Sequence, residues 1–242
     1  IPEGERRGLP LGSGRGLFGG GYTPSSLNVI EYITLSTLGN GVDFGDLTAV
    51  KKGVTAASST TRATFGGGYS GAYLNVIESV EIHSRGNASD FGNLTVSKSV
   101  RAGTGNNTRA IYGGGAPSYM NTIDYFAFAT AGDASDFGDL TVGRQKIAAC
   151  ASSTRATWFG GDAASPVGNT DVIDYVTIAS TGDASDFGDL TAASTKQVGT
   201  SSGTRGISAG GTAPSVTNVI GYFTIASAGD ASDFGDLTSA RY

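Results

Sequence analysis

Aspartate is the residue type in this sequence that most suggests chemistry. Carboxylates recur three residues apart at Asp133, Asp136 and Asp139, and such a cluster could ligate a calcium ion. The cluster lacks the alternating ligands and the terminal Glu of an EF-hand loop, and aspartates also cap turns by bonding their own backbone. The same pattern returns from Asp183 and from Asp230. Repetition favours a structural role, so we predict no metal site and no cofactor.

Side chains suited to catalysis are scarce. His83 is the single histidine, Cys150 the single cysteine and Trp158 the single tryptophan. A metal site of several histidines or a Cys–His nucleophile pair therefore cannot form within one chain. Cys150 lies among alanines and is expected to be buried, and Trp158 takes the place of Phe65 in its repeat, which predicts a core position. We predict no catalytic residue and a protein that is not an enzyme.

Composition narrows the remaining classes. The 242 residues include 39 glycines and only 15 % charged residues, a balance that suits tight turns better than helices. The net charge of -5 and the scattered Lys and Arg residues argue against nucleic-acid binding. No apolar stretch is long enough to span a bilayer, so we predict no membrane insertion. The sequence starts at Ile1 and not at Met, which leads us to expect that more protein preceded it.

Two markers divide the sequence into five repeats of about 47 residues, with boundaries near 1–48, 49–95, 96–141, 142–191 and 192–242. The first marker is the hexamer D-F-G-D-L-T, with Asn93 as one variation. It starts at Asp43, Asp90, Asp136, Asp186 and Asp233. The second marker is an arginine that precedes a glycine cluster. It stands at Arg15, Arg62, Arg109, Arg155 and Arg205.

Each repeat is predicted to form four short antiparallel strands. The third is the clearest, because the segment from Val29 to Leu35 is rich in β-branched and aromatic residues. A Gly-Asn or Gly-Asp turn follows it in every repeat, as at Gly39-Asn40 and Gly132-Asp133. Repeats of this size with four strands are typical of propeller blades. We therefore predict an all-β fold in which residues 1–242 form a single five-bladed β-propeller whose two ends meet.

The repeated arginines and aspartates occur in equal number, which suggests two roles for them. One hypothesis is that they form buried, hydrogen-bonded Arg–Asp pairs within or between blades. The other is that the five arginines bind an anionic ligand in the central channel. The members are Arg15, Arg62, Arg109, Arg155 and Arg205 with Asp43, Asp90, Asp136, Asp186 and Asp233.

Length varies in one place, the connection between the second and third strands, which has 6, 6, 5, 9 and 6 residues in the five repeats. Variation that is confined to loops on one face of a rigid scaffold often marks a binding surface. It also fits loops that merely tolerate change. The predicted binding residues on this face are Tyr22, Tyr69, Tyr73, Tyr119, Asp162 and Asn169.

The repeat resembles the kelch repeat, whose second strand ends in a glycine doublet and whose later strands carry two aromatic anchors. The doublet is Gly66-Gly67 and its equivalents, and the third-strand anchor is a tyrosine such as Tyr32 or Tyr125. Phe44 and its equivalents stand where kelch repeats usually have Trp. The acidic residue precedes the tyrosine instead of following it, and kelch propellers usually have six or seven blades. The near-identity of the repeats is also similar to kelch-like proteins of bacteriophages, especially marine ones.

The phage resemblance implies a virion or tail component, so the chain is expected in a virion or another extracellular assembly. The first hypothesis for its function is a non-enzymatic structural and interaction propeller. Its partners would be other virion or assembly proteins or a cell-surface receptor, and the chain would be able to form oligomers. The alternative is a lectin-like propeller that uses Tyr22, Tyr69, Tyr73 or Tyr119 to stack sugars. Repeats four and five lack these tyrosines.

Overall fold

The protein, seen in a computed structural model, is built from β-strands, and no helix occurs in the residues that the structure describes, 14–99 and 102–242. Each repeat forms one antiparallel meander, and we number these five sheets in chain order. Sheet 1 contains β1 (Arg15–Gly19), β2 (Leu27–Thr34) and β3 (Val42–Lys51). Sheet 2 contains β4 (Thr55–Ser58), β5 (Arg62–Gly66), β6 (Val76–Glu81) and β7 (Ser89–Asn93). Sheet 3 contains β8 (Gly103–Gly105), β9 (Arg109–Gly115), β10 (Met120–Ala127) and β11 (Ser135–Asp139).

The last two repeats carry extra short strands in their loops. The fourth repeat contains β12 (Arg144–Gln145), β13 (Ala148–Ala151), β14 (Arg155–Phe159), β15 (Asp162–Ala163), β16 (Gly168–Asn169), β17 (Val172–Thr177) and β18 (Ser185–Asp189). The fifth contains β19 (Val198–Ser201), β20 (Arg205–Ala209), β21 (Thr212–Ala213), β22 (Ser215–Val216), β23 (Val219–Thr224) and β24 (Ser232–Asp236). Sheet 4 has the order β13-β14-β17-β18 and sheet 5 the order β19-β20-β23-β24. Strands β12, β15 and β16 form a small separate sheet, and β21 pairs with β22.

The prediction of an all-β fold is confirmed, as is the meander of four strands in repeats two to five. Six sheets have three or four strands, and none of them closes on itself, so the sheets do not confirm a five-bladed propeller. The predicted first strand of the first repeat and the predicted meeting of the two ends involve residues 1–13, which lie outside the described residues.

Neighbouring sheets pack face to face through one recurrent set of apolar side chains. Between sheets 1 and 2, Phe44 and Ile30 pack against Phe65 and Ile82, and all four are at most 5 % exposed. The next two junctions repeat this arrangement with equivalent residues. At the junction of sheets 4 and 5, Ser208 stands at the position of Phe65, and Phe159 and Phe223 fill the core instead. Burying each such large side chain contributes roughly 1.5–3 kcal/mol. The core of this protein therefore lies between sheets, at four junctions.

Backbone hydrogen bonds hold each junction together. The N–H groups of Gly132 and Ala134, in the turn after β10, donate to the carbonyl oxygens of Phe91 and Asn93 in β7, both at 2.7 Å. Equivalent bonds of 2.7–2.9 Å form at the other three junctions. Gly92 has a φ of 150°, and a Cβ atom there would collide with the carbonyl of Gly132. The glycine of the repeated D-F-G is therefore required by this close approach of two sheets.

Candidate functional site

The variable loops lie at one end of the strands and are joined to the connections between sheets. Lys52, in the connection from sheet 1 to sheet 2, exchanges backbone hydrogen bonds of 3.1 and 2.8 Å with Tyr69 in the sheet 2 loop. Ser99 pairs in the same way with Ala116, and Thr195 with Thr212. The loops are thus held to the scaffold by backbone bonds, which leaves their side chains free to vary.

An aromatic cluster with a lysine at its centre is the most distinctive feature of this loop face. Lys52 Nζ lies 4.5 Å from the centre of the Tyr22 ring and 5.6 Å from that of Tyr69. Tyr69 in turn contacts Tyr73 edge to face, with ring centres 5.3 Å apart. Tyr22 is 61 % exposed and Tyr73 is 37 % exposed. The cluster offers exposed ring faces, phenol hydroxyls and one ammonium group, a combination that suits polar and aromatic partners.

The other three predicted binding residues lie outside the aromatic cluster. Tyr119 is half-buried and adopts a left-handed φ of 53°. Asp162 accepts from Lys146 Nζ at 3.1 Å, and Asn169 Nδ2 donates to the carbonyl oxygen of Thr212 at 3.2 Å. The last two residues connect the fourth loop to its surroundings. The structure therefore brings together Tyr22, Tyr69 and Tyr73 from the predicted set.

The repeated arginines do not pair with the repeated aspartates as predicted. Arg109 Nη1 donates to the carbonyl oxygen of Ile178 in the next sheet at 2.9 Å, and its guanidinium lies 4.9 Å from the Tyr125 ring centre. Arg15, Arg62 and Arg155 make the equivalent bond across their own junctions. The aspartates are exposed, and several of them bond the N–H of the following D-F-G glycine, as Asp136 bonds Gly138. Arg62 forms an ion pair with Glu81, which is not one of the repeated aspartates. The remaining ion pairs among the described residues involve neither the repeated arginines nor the repeated aspartates.

The buried charges of this protein form a separate set of ion pairs, one at each of the first three junctions, that the sequence reading missed. Their members are Lys51 with Glu78 at 2.9 Å, Lys98 with Asp124 at 2.6 Å and Arg144 with Asp174 at 2.6 Å. Their side chains are at most 2 % exposed. Each joins the residues that follow a D-F-G segment, which for Lys51 means the end of β3, to the third strand of the next sheet. The sequence does contain a signal for these pairs. The basic residue stands eight positions after the first aspartate of the hexamer. Its acidic partner stands in the next repeat, one position before the place of the third-strand tyrosine.

Burial shifts the pKa of Lys98, Arg144 and Asp174. Desolvation lowers the pKa of Lys98, although the carboxylate of Asp124 acts in the opposite direction. In the third pair, desolvation lowers the pKa of Arg144 and raises the pKa of Asp174, against their mutual attraction. Thr95 supports Asp124 by donating its backbone N–H to Oδ1 at 3.0 Å, and its hydroxyl bonds the same oxygen. These pairs are enclosed between sheets, so their role is structural.

The aspartate-rich turns act as backbone caps. Asp133 Oδ1 accepts from the backbone N–H of Asn93 in the preceding sheet at 2.9 Å, and Asp183 Oδ1 accepts from the N–H of Asp139 at 3.0 Å. Within the described residues, no three His, Cys, Asp or Glu side chains are grouped so that they could hold a metal ion. These carboxylates therefore contribute to the junctions by bonding the neighbouring sheet.

The predictions for the two unique core residues are confirmed. Trp158 is fully buried, and its indole Nε1 donates to the carbonyl oxygen of Ala102 in the preceding sheet at 3.4 Å. Cys150 is 4 % exposed beside Thr157, and burial raises the pKa of its thiol to about 11. Both residues belong to the packing between sheets.

No helix in the described ranges is long and apolar enough to cross a membrane. Comparison of the sequence with models of known protein families and with curated proteins finds no match.

Proposed function

We propose that the five sheets are the blades of a five-bladed β-propeller, and that this propeller is a non-enzymatic structural and interaction module. Support comes from the scaffold. Sheets 2 to 5 are four-stranded meanders of the blade type, and each packs on the preceding sheet through buried apolar side chains, equivalent backbone bonds and an equivalent arginine. Such a scaffold holds its loops in fixed relative positions, which is the main requirement for a binding face.

The binding face is the loop face, and the aromatic cluster of Tyr22, Lys52, Tyr69 and Tyr73 is the observation that supports this proposal. Tyr22 and Tyr69 occupy the same position in the first two repeats, and repeats three to five have no tyrosine there, whereas Lys52 and Tyr73 each occur in one repeat. The partner is another protein of a virion, such as a phage tail, or of a different extracellular assembly, or else a cell-surface receptor. An exposed tyrosine is suited to this role because it provides rigid contact area together with a hydroxyl.

Site-specific photo-crosslinking tests this proposal. A photo-reactive amino acid at Tyr73 is expected to capture a partner in the cells or particles that contain the chain. The matched control is the same amino acid at His83, which is exposed in the turn after β6, at the opposite end of the strands. Capture at neither position, or equal capture at both, would contradict a binding role for the loop face.

Carbohydrate binding is the second candidate function, and the exposed ring of Tyr22, which contacts Lys52 as Tyr69 does, is the observation that favours it. The cluster occurs at the junction of sheets 1 and 2, so this candidate predicts one sugar site instead of five equivalent ones. A glycan array probed with the wild-type chain and with Tyr22→Ser provides the test. Binding that the Tyr22→Ser change abolishes supports a lectin, and an array without any bound glycan removes this candidate.

A further inference from the structure

The outer faces of sheets 1 and 5 carry apolar residues at the positions that are buried where two sheets pack, and on these two faces the residues are exposed. Phe234 occupies the position of Phe44 in its repeat and is 55 % exposed, whereas Phe44 is 2 % exposed. Phe18 occupies the position of Phe65 and is 59 % exposed, and Leu35, at the position of the buried Ile82, is 68 % exposed. Exposed apolar patches of this kind mark interaction surfaces.

The ion pairs identify the partner of each face. At three junctions a basic residue of one sheet's connection pairs with an acidic residue of the next sheet. At the junction of sheets 4 and 5 both partners are replaced together, by Ser194 and Gly221. The basic residue returns after sheet 5 as Arg241, and the acidic residue stands in sheet 1 as Glu31. The side chains of Arg241 and Glu31 are both exposed, and their charges are opposite.

Side-chain volume gives the same assignment independently. Gly19, Gly66 and Gly113 each lie under a large aromatic residue of the next sheet, where a Cβ atom would collide with the ring. At the junction of sheets 4 and 5 the sizes are reversed, because Phe159 stands at the glycine position and Ser208 at the aromatic one. In sheet 5 the glycine position holds the small Ala209, and in sheet 1 the aromatic position holds the large Phe18. A small residue and a large residue again match.

The backbone groups also correspond. At the four junctions a turn glycine and the residue two positions later donate to two carbonyl oxygens of the preceding sheet. The equivalent donors in sheet 1 are the N–H groups of Gly39 and Gly41, and the equivalent acceptors in sheet 5 are the carbonyls of Phe234 and Asp236. Gly235 has a φ of 139° like its counterparts, yet no atom lies within 4 Å of where its Cβ would be.

We propose that the outer face of sheet 5 docks on the outer face of sheet 1 of the same chain and forms a fifth junction with an Arg241–Glu31 ion pair. This inference rests on the five-bladed arrangement proposed above but not on binding at the loop face. The two faces belong to one chain, so their effective concentration favours this contact over a second copy when the sheets span the ring. Docking also places Tyr242 beside Tyr22, as Lys52 lies beside Tyr69, and so extends the aromatic cluster.

A charge reversal tests the ion pair and the identity of the partner. Arg241→Glu and Glu31→Arg are each expected to lower the midpoint of thermal unfolding by about 5 °C. The double variant in one chain should return to within about 2 °C of the wild type, while both it and the wild type remain monomeric in light scattering. Equal amounts of the two single variants, when mixed, should show no recovery. Recovery on mixing, with a doubled mass, would assign the contact to a second copy and overturn the proposal.

Hydrogen exchange tests the junction in the unaltered chain. The amide protons of Gly39 and Gly41 are expected to exchange at least about 100-fold more slowly than in an unstructured peptide, as those of Gly132 and Ala134 should. Rapid exchange at Gly39 and Gly41 alone would refute the fifth junction. That result would leave photo-crosslinking at Tyr73 unaffected, so failure of the junction and failure of the proposed binding face are distinguishable.

Discussion

The buried pair of Lys98 and Asp124 provides the sharpest test of how charges hold the sheets together. Both side chains are fully buried, with Lys98 Nζ 2.6 Å from Asp124 Oδ2. The change Asp124→Asn keeps the size of the side chain and removes its charge. The ammonium group then retains the hydroxyl of Thr122 at 2.9 Å and its carbonyl at 3.2 Å, but it has no counterion.

We expect Asp124→Asn to lower the free energy of unfolding by about 3–5 kcal/mol, because it leaves an uncompensated buried charge. The two acceptors of Thr122 place the cost toward the lower end of that range. For a chain of this length, the melting temperature should fall by roughly 6–20 °C. Urea unfolding followed by circular dichroism measures the change, and an unaltered slope in urea would show that the same surface unfolds.

The pH dependence of this variant has a defined sign. Burial already lowers the pKa of Lys98 below the ordinary lysine value of 10.5, and removal of the carboxylate lowers it further. Between the lowered pKa in the folded state and 10.5, the unfolded chain binds more protons than the folded chain. The stability of Asp124→Asn should therefore rise as the pH is raised through that window and level off above it.

The matched control replaces both charges by apolar side chains of similar size, Lys98→Met with Asp124→Leu. Such replacements of buried ion pairs are often neutral or stabilising, so this double variant should be close to the wild type. The chain itself tolerates the loss of both charges at Ser194 and Gly221. A loss of less than about 1 kcal/mol for Asp124→Asn, or a double variant that is less stable than the single one, would refute this account.

Two further predictions concern burial and close approach. Cys150 should not react with a thiol reagent at pH 8 in the folded protein, because burial raises the pKa of its thiol to about 11, and it should react fully in urea; rapid reaction without denaturant would contradict its buried position. Gly92→Ala should destabilise the protein by more than about 2 kcal/mol, because its φ and the Gly132 carbonyl both exclude a side chain. Gly86→Ala, at an open position of a neighbouring turn, should cost about 1 kcal/mol or less when both are compared by urea unfolding.

The sequence was sufficient to predict the meanders of repeats two to five, but not the two small sheets in the loops of repeats four and five. The periodic aromatic and β-branched residues predicted β2 and its equivalents, and the repeated glycine turns predicted where one strand ends and the next begins. These signals are local, because strands that pair in a meander are close in sequence. For the same reason the buried positions of Cys150 and Trp158 followed from their place in the repeat.

Contacts between sheets were harder to predict because they depend on distant residues. Lys98 and Asp124 are 26 positions apart, and equal numbers of Arg and Asp suggested a different pairing. Arg109 bonds a backbone carbonyl, a group that every residue supplies, so no side-chain pattern could identify its partner. The aromatic cluster was predicted only in part, because Lys52 lies in a connection and not in a variable loop.

The backbone bonds between sheets also bear on how such a chain can change its length. Gly132 and Ala134 contact the preceding sheet through main-chain atoms, and their equivalents do the same at every junction that the structure describes. A duplicated repeat would present these groups to both of its neighbours from the start. Tandem duplication of a repeat that also keeps the recurrent apolar and charged junction residues could therefore insert a sheet, and later substitutions would be free to alter the new loop. The backbone hydrogen bonds between sheets thus favour growth by whole repeats, with divergence confined to the loop face.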